Sequence, residues 1–169
     1  MRQEVAALQL HVFDGEWDSQ PYGDIPDACG ANGFRFYAYR AVPLDADWRM
    51  PQAKTEDKIR AVADWLVEHG WSDVIVRTYA GGVTSQSIEA SKPSAHIDSL
   101  LVMISTGARN DLMSLRMTST CEAGSSWDLD DLIAPDSGPE YDAPLVEHPA
   151  AEPRFGTSPM PTPSPSPEP

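Results

Sequence analysis

The clearest hydrophobic pattern along the chain predicts a helix over residues 55–71. Apolar residues recur there at the i, i+3, i+4, i+7 spacing of one helix face, namely Ile59, Val62, Ala63 and Leu66. Thr55 is expected to cap the first turn through its side-chain oxygen. Gly70 stands where a left-handed residue ends a helix, and Trp71 is expected to fold back onto Leu66. Both ends of this helix are therefore specified locally.

A second, shorter helix is predicted over residues 2–13. Val5, Leu8 and Val12 fall on one apolar stripe, and Gly15 is its stop signal. His11 lies in this segment, and we interpret it as a half-exposed surface residue rather than a ligand.

The remaining periodic segments predict strands, because they are rich in branched, aromatic or alternating apolar residues. They span residues 34–42, 73–79, 83–90, 97–105 and 112–120. In the first of them, the pairs Phe34/Phe36 and Tyr37/Tyr39 point to opposite faces. This arrangement is compatible with a ligand-stacking platform, and it favours a packed core with a covered outer face.

This order of elements predicts an α+β fold, with an antiparallel sheet of about four to five strands and two helices packed on one face. The domain is expected to span residues 1–133, where Trp127, Leu129, Leu132 and Ile133 form an appendage of the sheet or lie outside it. The Pro/Ser-rich acidic tail, residues 134–169, carries little apolar surface, so we expect it to be disordered and to act as a spacer.

The formal net charge of −14 narrows the class of partner. Residues 1–121 contain 16 acidic and 11 basic residues, so most of the excess acid lies in the remaining third. Nucleic-acid binding requires clustered Lys and Arg, and anionic lipid attracts basic segments. We therefore expect no nucleic-acid partner and no electrostatic docking on a membrane.

The two cysteines, Cys29 and Cys121, precede the first strong strand and follow the last one. Two thiols without a histidine at ligand spacing do not make a zinc site, and no base or cationic setting indicates a catalytic thiol. They form either a disulfide or two separate free thiols. Their flanking positions favour the disulfide, which would indicate an oxidising compartment.

No motif predicts a catalytic, cofactor-binding or metal-binding residue. The sequence contains neither a GxSxG elbow nor the GxxxxGK[ST] or GxGxxG phosphate loops. Its four histidines are scattered singly, and the run 128–131 lacks the glycine of a calcium loop. We therefore expect a non-enzymatic protein without a cofactor.

Taken in order, these features resemble small secreted lipoproteins of actinobacteria of the LppA-like type. The resemblance rests on DACGANG (27–33), FRFYAYRAV (34–42), KIRAVADWLVEHG (58–70) and LMSLRMTSTC (112–121), with a Pro/Ser/Thr-rich tail after the last cysteine. It implies an extracytoplasmic domain closed by a disulfide between Cys29 and Cys121, and it implies no reaction. The lipobox cysteine of such lipoproteins is absent at the start, where the chain begins inside a helical pattern. We expect an upstream segment that carries the signal and any lipid anchor.

The sequence thus predicts a lipoprotein-like extracytoplasmic domain, secreted or membrane-associated, that binds a protein or a component of the cell envelope. Its oligomeric state is left open. Two alternatives stay open as well. One is a small enzyme whose carboxylates meet only in three dimensions, and the other is an immunity or exclusion protein with a basic target.

Overall fold

The computed structural model describes residues 1–19, 26–43, 52–79, 85–106, 111–125 and 146–150. Two helices lie in this part of the chain, α1 (Arg2–Val12) and α2 (Gln52–Glu68). The end of α2 follows the predicted pattern, because Gly70 has a φ of +76° and the Trp71 N–H donates to the Leu66 carbonyl at 3.0 Å. This is the hydrogen bond of a Schellman cap, and it places Trp71 in the core.

The described residues form nine strands around one antiparallel sheet. They are β1 (Trp17–Ser19), β2 (Pro26–Cys29), β3 (Gly33–Ala41), β4 (Ser72–Tyr79), β5 (Ser85–Lys92), β6 (Ile97–Thr106), β7 (Asp111–Ser119), β8 (Glu122–Ala123) and β9 (Val146–Glu147). A single 3₁₀ turn, Pro93–Ala95, separates β5 from β6. The strand order is β4-β5-β6-β7-β3-β1-β9, and β2 and β8 both pair with β3.

Strand β3 holds the two parts of the sheet together. Its second half, Tyr37 to Ala41, pairs with β7 on one side, and Arg40 and Ala41 pair with β1 on the other. Its first half, Gly33 to Phe36, pairs with β2, and Gly33 and Phe34 also pair with β8. Between the two halves, the Phe36 N–H donates to Ser119 Oγ at 2.8 Å. This side-chain bond takes the place of a ladder bond where β7 ends.

One face of the sheet carries the core. Alternate residues of four neighbouring strands are buried there: Ala38, Ile88, Ala90, Leu100, Val102, Ile104, Met113, Leu115 and Met117. Val5, Leu8 and Val12 of α1 and Ile59, Val62 and Leu66 of α2 pack in the same cluster. Lys92 of β5 reaches Glu4 of α1, with Nζ 2.8 Å from Oε1. Both helices therefore cover the same face, as the α+β pattern predicts.

Three details differ from the sequence predictions. Helix α2 begins at Gln52 rather than at Thr55, because residues 52–54 (Gln, Ala, Lys) are themselves good helix formers. Residues 26–29 form β2, a strand that the hydrophobic pattern does not predict; Pro26 is tolerated there because the first residue of a strand needs no ladder N–H. The sheet has more than the expected four to five strands. The additional strands β1, β2, β8 and β9 are only two to four residues long, which is too short to show a period in the sequence.

Within the predicted tail, Val146–Glu147 pair with β1. The rest of the tail apart from 148–150, and the expected appendage at Trp127, Leu129, Leu132 and Ile133, lie outside the described residues.

Candidate functional site: the open face of the sheet

The second face of the sheet carries no helix in the part of the chain that the structure describes. We call it the open face. The pairing register places the following side chains in adjacent rows on it: Ile75, Arg77, Tyr79, Ser85, Ser87, Glu89, Leu101, Met103, Ser105, Ser114, Arg116, Thr118, Tyr37 and Tyr39. Leu101, Met103 and both tyrosines of β3 are half-buried. Of these side chains, the tyrosines, Met103 and the two arginines belong to the residue types that protein interfaces concentrate, whereas the serines and Glu89 do not.

Aromatic side chains occupy the β3 end of the open face. The Arg116 guanidinium lies over the Tyr39 ring, 5.7 Å from its centroid. Phe34 and Phe36 pack edge to face on the other side of β3, with centroids 5.8 Å apart. The strand therefore presents its tyrosines to the open face and its phenylalanines away from it, as the alternation predicts.

Polar contacts organise the β4 end. Arg77 Nε and Nη2 donate to the two carboxylate oxygens of Glu89 at 2.9 and 3.1 Å. These hydrogen bonds lower the pKa of Glu89 and raise that of Arg77. Tyr79 Oη lies 3.3 Å from Ser87 Oγ. Glu89 is therefore held ionised, which makes it a poor general acid at neutral pH.

A depression of about 370 Å³ lies beside this pair at one end of the face. Its lining includes three carboxylates, Asp73, Glu89 and Asp98. Asp73 and Asp98 are exposed, and Glu89 is engaged by Arg77. A buried acidic residue of the described chain, Asp111, lies at the opposite end of the neighbouring strands, where it stands opposite Thr106 in the backbone ladder. Two carboxylates of the depression are thus open to solvent, and the third is already paired with an arginine.

Near the depression, Glu122 accepts hydrogen bonds from two neighbours. Thr120 Oγ1 donates to Glu122 Oε1 at 2.8 Å, and His96 Nδ1 lies 3.0 Å from the same oxygen. These bonds, that of Thr120 first, lower the pKa of Glu122. In a Ser-His-Asp triad the histidine lies between hydroxyl and carboxylate. Here the carboxylate lies in the middle, so His96 is not placed to take a proton from Thr120.

The structure joins the two cysteines that the sequence singled out. Cys29 and Cys121 form a disulfide with a Cα–Cα distance of 6.0 Å across 92 residues of chain. Gly33 lies between them, since it pairs with Cys29 on one side and with Ala123 on the other. A Cβ on Gly33 would lie 2.7 Å from Cys121 Sγ and 2.7 Å from the Cys29 carbonyl oxygen. The close approach of the disulfide to β3 therefore requires glycine at position 33, and no sequence motif predicts this requirement.

The other histidines are not brought to the open face as a cluster. His11 stacks on Trp65 and Trp65 on His69, with centroid distances of 5.0 and 3.9 Å. His148 Nε2 lies 3.3 Å from Asp14 Oδ1. Among the described residues, no three His, Cys, Asp or Glu side chains are grouped so that they could hold a metal ion. No helix in the same residues has the length and apolar character needed to cross a membrane.

Comparisons with protein-family models, with curated proteins and with solved structures found no match to this chain.

Proposed function

We propose that this chain is a non-enzymatic, lipoprotein-like extracytoplasmic domain that binds a protein or a component of the cell envelope through the open face of its sheet. The observation that carries the proposal is the disulfide between Cys29 and Cys121. Thiols stay reduced in reducing compartments such as the cytosol, whereas disulfides form and persist in the oxidising compartments of secreted domains.

The open face supports the binding part of the proposal. Leu101 and Met103 lie side by side on β6 with Arg116 and Tyr39 on the strands beyond. A solvated sheet face that needs no partner is normally occupied by polar side chains. The serines and Thr118 of the open face fit that description, whereas its tyrosines, Met103 and Arg116 are of the residue types that interfaces concentrate. A flat face of this kind fits a protein surface or a polymer better than a small enclosed ligand.

The compartment is tested by intact-mass analysis of the protein isolated from its native host, with thiol alkylation before and after reduction. We expect both cysteines to resist alkylation until they are reduced, in protein taken from the medium or the membrane fraction. Recovery from the cytosol with both thiols already alkylated would refute the extracytoplasmic assignment.

The binding face is tested by placing a photoreactive phenylalanine analogue at Tyr39 in cells of that host. We expect an adduct that is lost when Met103→Arg introduces a charge on the same face. The same analogue at Arg60, an exposed position on α2, is the matched control. Equal adducts at both positions, or an adduct that survives Met103→Arg, would show that the open face is not the binding surface.

A further inference from the structure

Helix α1 is attached to the rest of the described chain mainly through side chains. Helix α2 approaches β4, β5 and β6 closely with its backbone, and in the described residues the α1 backbone comes no nearer than that to any strand. Its buried apolar side chains, Val5, Leu8 and Val12, pack in the core cluster. An element that is held by side chains, without a backbone ladder, can open locally while the sheet stays paired.

Polar contacts fix α1 near each of its ends. Near its start, Lys92 Nζ of β5 lies 2.8 Å from Glu4 Oε1. Near its end, the His11 ring stacks on Trp65 of α2 with 15° between the ring planes, and Lys58 Nζ donates to the His11 carbonyl at 3.3 Å. Carboxylates and ammonium groups ordinarily keep their charges between pH 5 and pH 8, whereas a histidine changes its charge in this range. The two ends of α1 therefore differ in their response to pH.

The ring of His11 lies where a second N–H group has nothing to donate to. Its Nε2 atom is buried and has no hydrogen-bond partner among the described residues. The carboxylate of Asp14, just past the end of α1, is directed to His148, with Oδ1 3.3 Å from Nε2 of that ring. A neutral imidazole carries one N–H group and an imidazolium carries two. Protonation of His11 in place would thus leave a buried donor without an acceptor, which is costly.

The charges around the ring also oppose its protonation. Helix α2 presents the positive groups Lys58 and His69 and the negative group Glu68 to His11. Burial first and then Lys58 lower the pKa of His11, with a smaller effect of His69, while a backbone hydrogen bond at Ala61 and the charge of Glu68 act in the opposite direction. The closed contact between the helices therefore binds a proton less readily than a solvated histidine does.

We propose that the contact of His11 with Trp65 is an acid-sensitive switch, and that protonation of His11 releases α1 from α2 while the sheet stays paired. The released imidazolium is solvated, so the missing acceptor and the nearby Lys58 no longer penalise it. The contact is fully stable above pH 6.5 and weakens as the pH falls through the lowered pKa of the folded state. Release uncovers Trp65 together with the apolar stripe of α1, so that an apolar surface becomes accessible on the helix side at low pH only.

The switch is tested by amide hydrogen exchange of the full chain, read residue by residue by NMR at pH 7.5 and pH 5 and corrected for the intrinsic exchange rates. We expect the protection of the α1 amides to fall several-fold at pH 5 and to lie well below that of the β6 amides. His11→Phe keeps a ring on Trp65 and cannot take up a proton, so it is expected to remove most of this fall. His11→Gln, which is also neutral at both pH values, is expected to do the same.

His96→Asn is the matched control, because His96 is exposed and lies outside the helix pair. Asparagine tolerates the φ of +55° at this position. This variant is expected to keep the pH response of α1. The wild-type chain alone can overturn the proposal, if α1 and β6 are equally protected at pH 5 or if the protection of α1 is the same at both pH values. A pH response that persists in His11→Phe and His11→Gln would overturn it as well.

Discussion

At the scale of single residues, the disulfide depends on a neighbour that is not a cysteine. Gly33 lies where three strands and the Cys29–Cys121 bond meet, and its missing side chain is what lets them approach. A glycine near a cysteine in sequence is ordinary turn chemistry, so nothing local distinguishes Gly33 from Gly30. The requirement arises from Cys121, far away in the sequence.

Gly33→Ala is therefore expected to destabilise the fold by about 1–3 kcal/mol, the usual cost of forcing a methyl group into a packed site. Urea denaturation followed by circular dichroism measures the change. In a background that carries Cys29→Ala and Cys121→Ala, the same substitution is expected to cost less, because the sulfur contact is gone. An equal cost in both backgrounds would show that the disulfide is not what crowds the site.

The contrast between Gly33 and Gly70 shows which residue roles a sequence reveals. Gly70 was predicted correctly, because a helix stripe, a glycine and a following Trp71 stand next to one another and form a local hydrogen-bonding motif. The aromatic alternation of β3 was predicted for the same reason. Three other contacts join segments that are distant in sequence, so no local pattern predicts them. They are the approach of the disulfide to Gly33, the stacking of His11 on Trp65 and the bidentate pair of Arg77 and Glu89.

At the scale of elements, α1 contacts α2 through an aromatic stack as well as through the core. His11 lies against Trp65, and Lys58 Nζ donates to the His11 carbonyl at 3.3 Å. The buried Nε2 of His11 has no hydrogen-bond partner among the described residues. Burial first, then the positive charges of Lys58 and His69, lower the pKa of His11 from 6.5, while Glu68 and a backbone hydrogen bond at Ala61 act in the opposite direction.

Because the pKa of His11 is lower in the folded state, the folded protein binds a proton there less readily than the unfolded chain does. The contribution of His11 to stability is therefore complete above pH 6.5 and is lost as the pH falls through the lowered folded pKa. We expect the urea midpoint to drop between pH 7.5 and pH 5, and His11→Phe, which keeps a ring on Trp65, to reduce that drop. Identical pH slopes for the two proteins would contradict this role.

The long elements were predictable and the short ones were not. Both helices and the strands β3 to β7 have enough residues to display a period of 3.6 or 2, and the α+β class follows from them. Strands β1, β2, β8 and β9 have two to four residues each, too few for a period, and they exist because β3 or β1 pairs with them. From the sequence, the open face could be recognised only as alternating residues within single strands. Which of these residues lie next to one another depends on the register between strands.

At the scale of the whole molecule, the disulfide closes a loop of 92 residues that contains most of the fold. In the chain-entropy model, such a long loop stabilises the folded state by about 4–5 kcal/mol. We expect the double substitution Cys29→Ser and Cys121→Ser to lower the free energy of unfolding by an amount near this range. Denaturation of the reduced wild-type chain is the control and should give the same midpoint. An unchanged midpoint in either experiment would show that the bond contributes little.

The strand order also implies a direction for folding. Strands β4 to β7 are consecutive neighbours joined by short connections, so they can pair as soon as each is made. Strand β3, which comes earlier in the chain, pairs along its length with β7 and β8, and closing that long loop is entropically slower. Strand β3, which is synthesised early, can therefore complete its pairing only after β7 and β8 have been synthesised. We expect nascent chains released before β7 to remain sensitive to protease, and chains extended past Ala123 to become resistant in one step.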